Sequence, residues 1–147
     1  MINFLTHEII FNLKGKRLYK RWIKMVIQSI SNGFKIGEIS VVFCTDKYIL
    51  EVNNQYLKHN YYTDIITFDN CDGNTLSGDL LISIDTVKQN SQDYSTFFED
   101  ELNRVIIHGI LHLAGFKDGT DTQKMEMRIQ EEKALQLLSL IKNESIL

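Results

Sequence analysis

The stretch His108-Gly-Ile-Leu-His112-Leu-Ala-Gly115-Phe-Lys-Asp118 constrains this chain more than any other. Side chains four apart on a helix lie one above the other on a single face, so the two imidazoles stand close enough to share one metal ion. Gly115, three residues after the second histidine, is the residue type that lets a helix end in a left-handed turn. Such a turn swings Asp118 back towards the pair. Leu102, Val105, Ile106, Ile110, Leu111 and Leu113 are apolar nearly all round the same segment, which calls for a helix buried through the middle of a domain. That helix is expected from about Thr96 to Ala114. Two histidines satisfied inside a core would account for the His-x3-His spacing alone. A glycine and a carboxylate at the next two offsets, in a chain with four histidines, point instead to an open three-ligand metal site made by His108, His112 and Asp118.

The same spacing underlies the metzincin frame, in which a third ligand follows a glycine turn. Two positions differ. Gly109 stands where a metalloprotease carries its general-base Glu, and Asp118 stands where a third His is usual. A zinc peptidase needs a carboxylate at position 109, so the chemistry expected here is not peptide hydrolysis.

A chain of 147 residues suits one domain, 1–147, with a sizeable core. No apolar run approaches the ~18–20 residues that span a bilayer, and the first residues lack a signal-peptide pattern, so a cytoplasmic protein with no membrane association is expected. Cys44 and Cys71 show no metal-binding spacing and read as a core thiol and a loop thiol. The net charge of −3 is unevenly spread. Between Ile9 and Lys35 there is no acid, while Lys14, Lys16, Arg17, Lys20, Arg21, Lys24 and Lys35 are basic. A stripe of that kind either keeps a helix solvated or tracks a phosphate backbone.

Taken in order, Ile2–Leu13 reads as an edge strand and 16–31 as an amphipathic helix with Leu18, Trp22, Met25, Val26 and Ile30 on its apolar stripe. Gly33 and Gly37 close that segment. Glu38–Thr45 is a second strand, and Thr45 or Asp46 caps a helix over 47–57. A polar, aromatic loop leads to a strand at 65–68. A turn-rich connection around Gly73-Asn74 joins it to a strand at 78–84, and Ser83 or Asp85 caps a helix to about Tyr94. After the histidine helix comes a last amphipathic helix over 121–142, with Met125, Ile129, Leu135 and Leu138 inward and a frayed tail. The sum is an α+β (mixed α/β) single domain: a small mixed four-stranded sheet, about five helices, and one central helix carrying the histidines.

The run His108-Gly-x-Leu-His112-Leu-x-Gly115-Phe resembles the signature of the YbeY family, bacterial endoribonucleases that act as rRNA maturation factors. Tyr56 and Thr63-Asp64-Ile-Ile-Thr-Phe68 resemble the family's Tyr-Arg…Pro-Thr-Asp-Val-Leu-Ser-Phe segment. Leu76-Ser-Gly78-Asp79-Leu-Leu-Ile-Ser83 resembles its Leu-Gly-Asp-Ile-x-Ile-Ser strand, and Glu101-Leu-x-Arg104 also fits. The likeness implies a bound zinc, cleavage of single-stranded RNA, 16S rRNA 3′-end processing and ribosome quality control. Its partners would be RNA of the small ribosomal subunit and a ribosomal or ribosome-associated protein. Three positions depart from the family: Asp118 replaces the third His, Leu57 the arginine, and Tyr62 the proline. A carboxylate oxygen binds zinc, but it is harder than imidazole and makes Mn2+, Fe2+ or Co2+ plausible alternatives.

The mechanism expected from these residues needs no Glu at 109, because a bound zinc brings the pKa of water near 7. Arg17, Lys20, Arg21, Lys24, Lys58 and His59 are candidates to hold the RNA backbone. Tyr61 and Tyr62 are candidates to stack on unpaired bases. Asp64 and Asp79 are candidates to orient the ligands from behind or to anchor the loop, or simply to cap turns. A non-catalytic RNA- or ribosome-binding assembly factor, with a structural or vacant metal site, is the alternative, and Leu57 would be its footprint.

Overall fold

A computed structural model describes residues 1–56 and 63–146, with side chains described through Glu144. Four strands, β1 (Ile2–Thr6), β2 (Lys35–Cys44), β3 (Ile65–Asp69) and β4 (Thr75–Ser83), form one sheet in the order β1-β2-β4-β3. β1 and β4 both run parallel to β2, while β3 is antiparallel to β4, so the sheet is mixed. Five helices complete a single α+β domain: α1 (Lys16–Ile30), α2 (Asp46–Tyr56), α3 (Ile84–Asp93), α4 (Phe98–Leu113) and α5 (Asp121–Ile146). No helix among the described residues is long and apolar enough to cross a membrane.

Side chains alternate across a strand, and here the two faces are loaded unequally. Ile39, Val41, Phe43, Leu76, Leu80 and Ile82 join the buried faces of α1, α4 and α5 in the main core. Cys44, Ile66 and Leu81 point the other way, onto Ile49 and Val52 of α2. Trp22 of α1 is fully buried, and its indole N–H donates to the Ala134 carbonyl of α5 at 2.8 Å, tying the two outer helices together.

The caps explain the helix starts. Thr45 Oγ1 accepts from the Tyr48 amide at 3.2 Å, and Ser83 Oγ accepts from the Thr86 amide at 3.1 Å. Asp46, just inside α2, takes the hydroxyls of Ser83 and Thr86, so the starts of α2 and α3 brace each other. Asp72 and Thr75 exchange both backbone hydrogen bonds at 3.0 Å around Gly73-Asn74, a two-residue hairpin.

Four sequence expectations are corrected. β1 stops at Thr6 rather than Leu13, because β2 ends at Cys44 and offers no backbone partner beyond the bond from the His7 amide to Phe43. β2 starts at Lys35, and Gly37 lies inside it where the register shifts between Ile36 and Ile39. In α5 the buried stripe is Met127, Glu131, Ala134, Leu138 and Ile141, whereas Met125 and Ile129 are exposed. That helix also runs to Ile146, its last turns held by buried Ile141 and by the Lys142–Glu99 and Arg21–Glu144 ion pairs.

Trp22 is the largest side chain shared by the outer helices. Trp22→Ala should cost about 3–5 kcal/mol through the cavity it leaves. Against an ordinary total of about 5–15 kcal/mol, the urea midpoint should fall by a large fraction of its value.

Candidate metal centre

Two local motifs place Asp118. The end of α4 is a Schellman motif: the Gly115 amide donates to His112 at 3.0 Å and the Phe116 amide to Leu111 at 3.1 Å, with Gly115 at φ +102°. Almost at once α5 begins with a capping box. The Gln123 amide donates to Thr120 Oγ1, and Gln123 Oε1 accepts from the Thr120 amide, both at 3.1 Å. Phe116 packs on the core on one side of this connection. Little slack remains between the two motifs, and Asp118 points back at the histidines.

The resulting triangle is tight. His108 Nε2 and His112 Nε2 are 3.0 Å apart, and Asp118 Oδ2 lies 3.2 Å from the first and 3.3 Å from the second. Ligands at ~2.0–2.1 Å around a tetrahedral ion are themselves separated by roughly 3.3 Å. His108, His112 and Asp118 therefore form a group that could bind a metal ion, and two imidazoles with one carboxylate suit a first-row divalent cation. All three are partly exposed, so the shared point is open to solvent.

Helix α4 reaches this position because it lies hard against the sheet at Gly109. A Cβ there would sit 2.7 Å from Ile65 Cδ1 and 2.9 Å from Leu80 Cδ1. Position 109 thus faces Ile65 and Leu80 of the sheet, and Gly109 does not itself line the cleft. A metalloprotease-type Glu there would have to displace the Ile65 and Leu80 side chains.

The cleft over the triangle has a volume of about 480 Å3 and is lined by Thr63, Asp64, Ile65, Thr67 and Asp69 from β3 and its approach, opposite His108, His112 and Asp118. Three carboxylates and no Lys or Arg line it among the described residues. Such a cleft attracts a cation and repels a polyanion until a cation is present. Burial pushes the Asp64 carboxyl above its ordinary value, with the charge on His108 pulling the other way.

Of the remaining sequence candidates, Asp64 lies beside His108 in the cleft and Asp79 does not. Asp79 projects from the opposite face of β4 to Gly78 and Leu80, the residues that meet α4, so it is not positioned to orient these ligands. Arg17, Lys20, Arg21 and Lys24 form an exposed basic surface with Gly15 and Leu18, outside the cleft. Arg21 pairs with Glu144, 13 residues further along α5 than Glu131, or roughly 20 Å at the helical rise. Leu57, Lys58, His59, Tyr61 and Tyr62 lie outside the described residues.

Sequence reasoning missed Glu131. Its Oε2 accepts from His108 Nδ1 at 2.7 Å, and its Oε1 accepts from Arg104 Nη1 at 2.9 Å. Burial acts to depress the His108 pKa, yet the hydrogen bond and charge of Glu131, followed by Asp118 and Asp64, hold it above its ordinary value. Glu131 is correspondingly held below its usual range by His108 and Arg104, against the burial that would raise it. The signal was present: Glu131 occupies a position in the apolar stripe of α5, between Met127 and Ala134.

The profile of the family described as Endoribonuclease YbeY matches residues 2–139. An Endoribonuclease YbeY of Porphyromonas gingivalis is 49% identical over 137 residues, covering 93% of this chain and 89% of that protein. One from Bacteroides fragilis is 55% identical over 120 residues, covering 82% and 85%. The solution structure of TM1509 from Thermotoga maritima superposes with a TM-score of 0.64 at 26% identity, over 98% of this chain and 91% of that one.

Gly109→Glu drives a charged side chain into Ile65 and Leu80. It should destabilise the fold by about 3 kcal/mol or more, seen as an abolished or strongly lowered thermal transition. A folded Gly109→Glu protein with chelator-sensitive casein hydrolysis would contradict this seating of the helix.

Proposed function

This chain belongs to the YbeY family of endoribonucleases, and on that footing we propose that it cleaves single-stranded RNA with one divalent cation held by His108, His112 and Asp118. The observation that carries the reading is the convergence of three ligand atoms, 3.0 to 3.3 Å apart, at the floor of a solvent-open cleft. A bound divalent cation supplies Lewis acidity, activating water near neutral pH and offsetting charge on a phosphoryl oxygen. The chain's own residues bind and orient. His108 and His112 would present ring nitrogens and Asp118 a carboxylate oxygen to the ion, and β3 with its approach walls the cleft on the opposite side. Zinc is the proposed ion, with Mn2+, Fe2+ or Co2+ favoured more than in a three-histidine site because Asp118 is a hard ligand.

The substrate we propose is rRNA of the small ribosomal subunit, in 3′-end maturation and quality control, alongside a ribosomal or ribosome-associated protein. The basic face of α1 supports a two-part grip on the RNA. Arg17, Lys20, Arg21 and Lys24 would hold the phosphate backbone outside the acidic cleft, and the cation would neutralise it inside. The reading of a non-catalytic assembly factor predicts the same RNA affinity without cleavage.

Metal analysis by mass spectrometry should find about one divalent ion per wild-type chain and much less in His112→Ala. Metal-free protein in both cases, after preparation without chelators, would remove the ion from the reading. Cleavage of single-stranded RNA should disappear in His108→Ala, and equal activity of the two proteins would favour the assembly factor. Replacing Arg17, Lys20 and Lys24 by Gln should lower the slope of log affinity against log salt by about 0.7 for each phosphate no longer neutralised. An unchanged slope would take α1 out of the RNA surface.

A further inference from the structure

We propose that Glu131, clamped by Arg104, is the positioning residue that sets the tautomer and direction of His108 and thereby the affinity of the triad for its ion. The proposal rests on the divalent-ion reading above and adds to it a residue from a different helix. Glu131 is 6% exposed, the one carboxylate among the buried described residues. A buried carboxylate is costly unless both oxygens are paired. Here each oxygen has its own partner: Oε1 takes Arg104 Nη1 at 2.9 Å and Oε2 takes His108 Nδ1 at 2.7 Å.

Arg104 and His108 are four apart on α4, so they present adjacent rungs on one face, and the single carboxylate from α5 spans both. Arg104 is itself held from its other side, since its Nη2 donates to Glu132. With two directional partners the carboxylate cannot turn. The His108 proton is then assigned to Nδ1, and the Nε2 lone pair is left facing His112 Nε2 and Asp118 Oδ2, at 3.0 and 3.2 Å. A carboxylate on the outer nitrogen also makes the imidazole a better donor to a cation.

Helix bracing alone does not require this arrangement. Arg104 already pairs with Glu132 at the rim, and an apolar residue at 131 would continue the stripe of Met127, Ala134, Leu138 and Ile141. What an apolar residue could not do is fix which nitrogen of His108 is free.

Glu131→Gln keeps the volume and removes the charge, and Glu131→Leu continues the stripe. Two readouts separate positioning from bracing. Zinc affinity, by competition with a chromophoric chelator, should fall about 10- to 100-fold in both variants, and less in Arg104→Met. The drop should be absent when Glu131→Gln is added to His108→Ala. Nitrogen-15 spectra of the metal-free protein, at a pH where the ring is neutral, should show His108 as the Nδ1–H form in wild type and as a mixture in Glu131→Gln. Unchanged zinc affinity with a lowered denaturation midpoint would make Glu131 a helix brace and overturn the proposal, as would an unchanged tautomer. If wild type binds no zinc, the divalent-ion reading loses its main support, and the tautomer spectra alone decide the role of Glu131.

Discussion

At Gly109 the backbone of α4 approaches Ile65 and Leu80 so closely that an added Cβ would press on their terminal methyls, and the seating of the site follows from that approach. Seated there, the helix turns the face carrying His108 and His112 towards the rim of β3 and directs position 109 into the sheet. The frame it shares with metalloproteases is therefore a frame of ligands only. The position that carries the base in those enzymes is used here for packing against the sheet.

The two ends of the connection between α4 and α5 do the rest. A Schellman ending and a capping-box start each satisfy backbone groups that a helix terminus leaves unpaired. Between them the chain has little freedom, so the connection carries Asp118 to the histidines. Glu131 then enters from α5, on the same buried stripe as the core contacts that fix that helix. The acidic cleft and the distant basic face of α1 divide the electrostatic work: one demands a cation, the other suits a polyanion.

Most elements are legible from periodicity, because strands two residues and helices 3.6 residues in period bury different sets of side chains. The histidine helix matches its expected span nearly to the ends, with its apolar positions all buried. Failures come where a pattern has two readings. In α5, a glutamate in the buried stripe weakens the true pattern, and Met125 and Ile129 offer a rival that proves exposed. Asp79 looks like a partner of the ligands by its place in a motif, but strand alternation sends it to the other face. β1 is shorter than its sequence suggests because the chain stays apolar after its hydrogen-bond partner has ended.

The linear order of residues determined the local geometry. Two imidazoles share a helical face because they are four apart, and the helix ends in a left-handed turn because Gly115 follows. These are properties of neighbours in the chain, set by backbone sterics and helical pitch. Packing alone settled which carboxylate meets His108, which face Asp79 occupies and how far the basic helix stands from the cleft. Those outcomes depend on contacts between segments 23 or more residues apart, and local periodicity carries no information about which helix will lie against which.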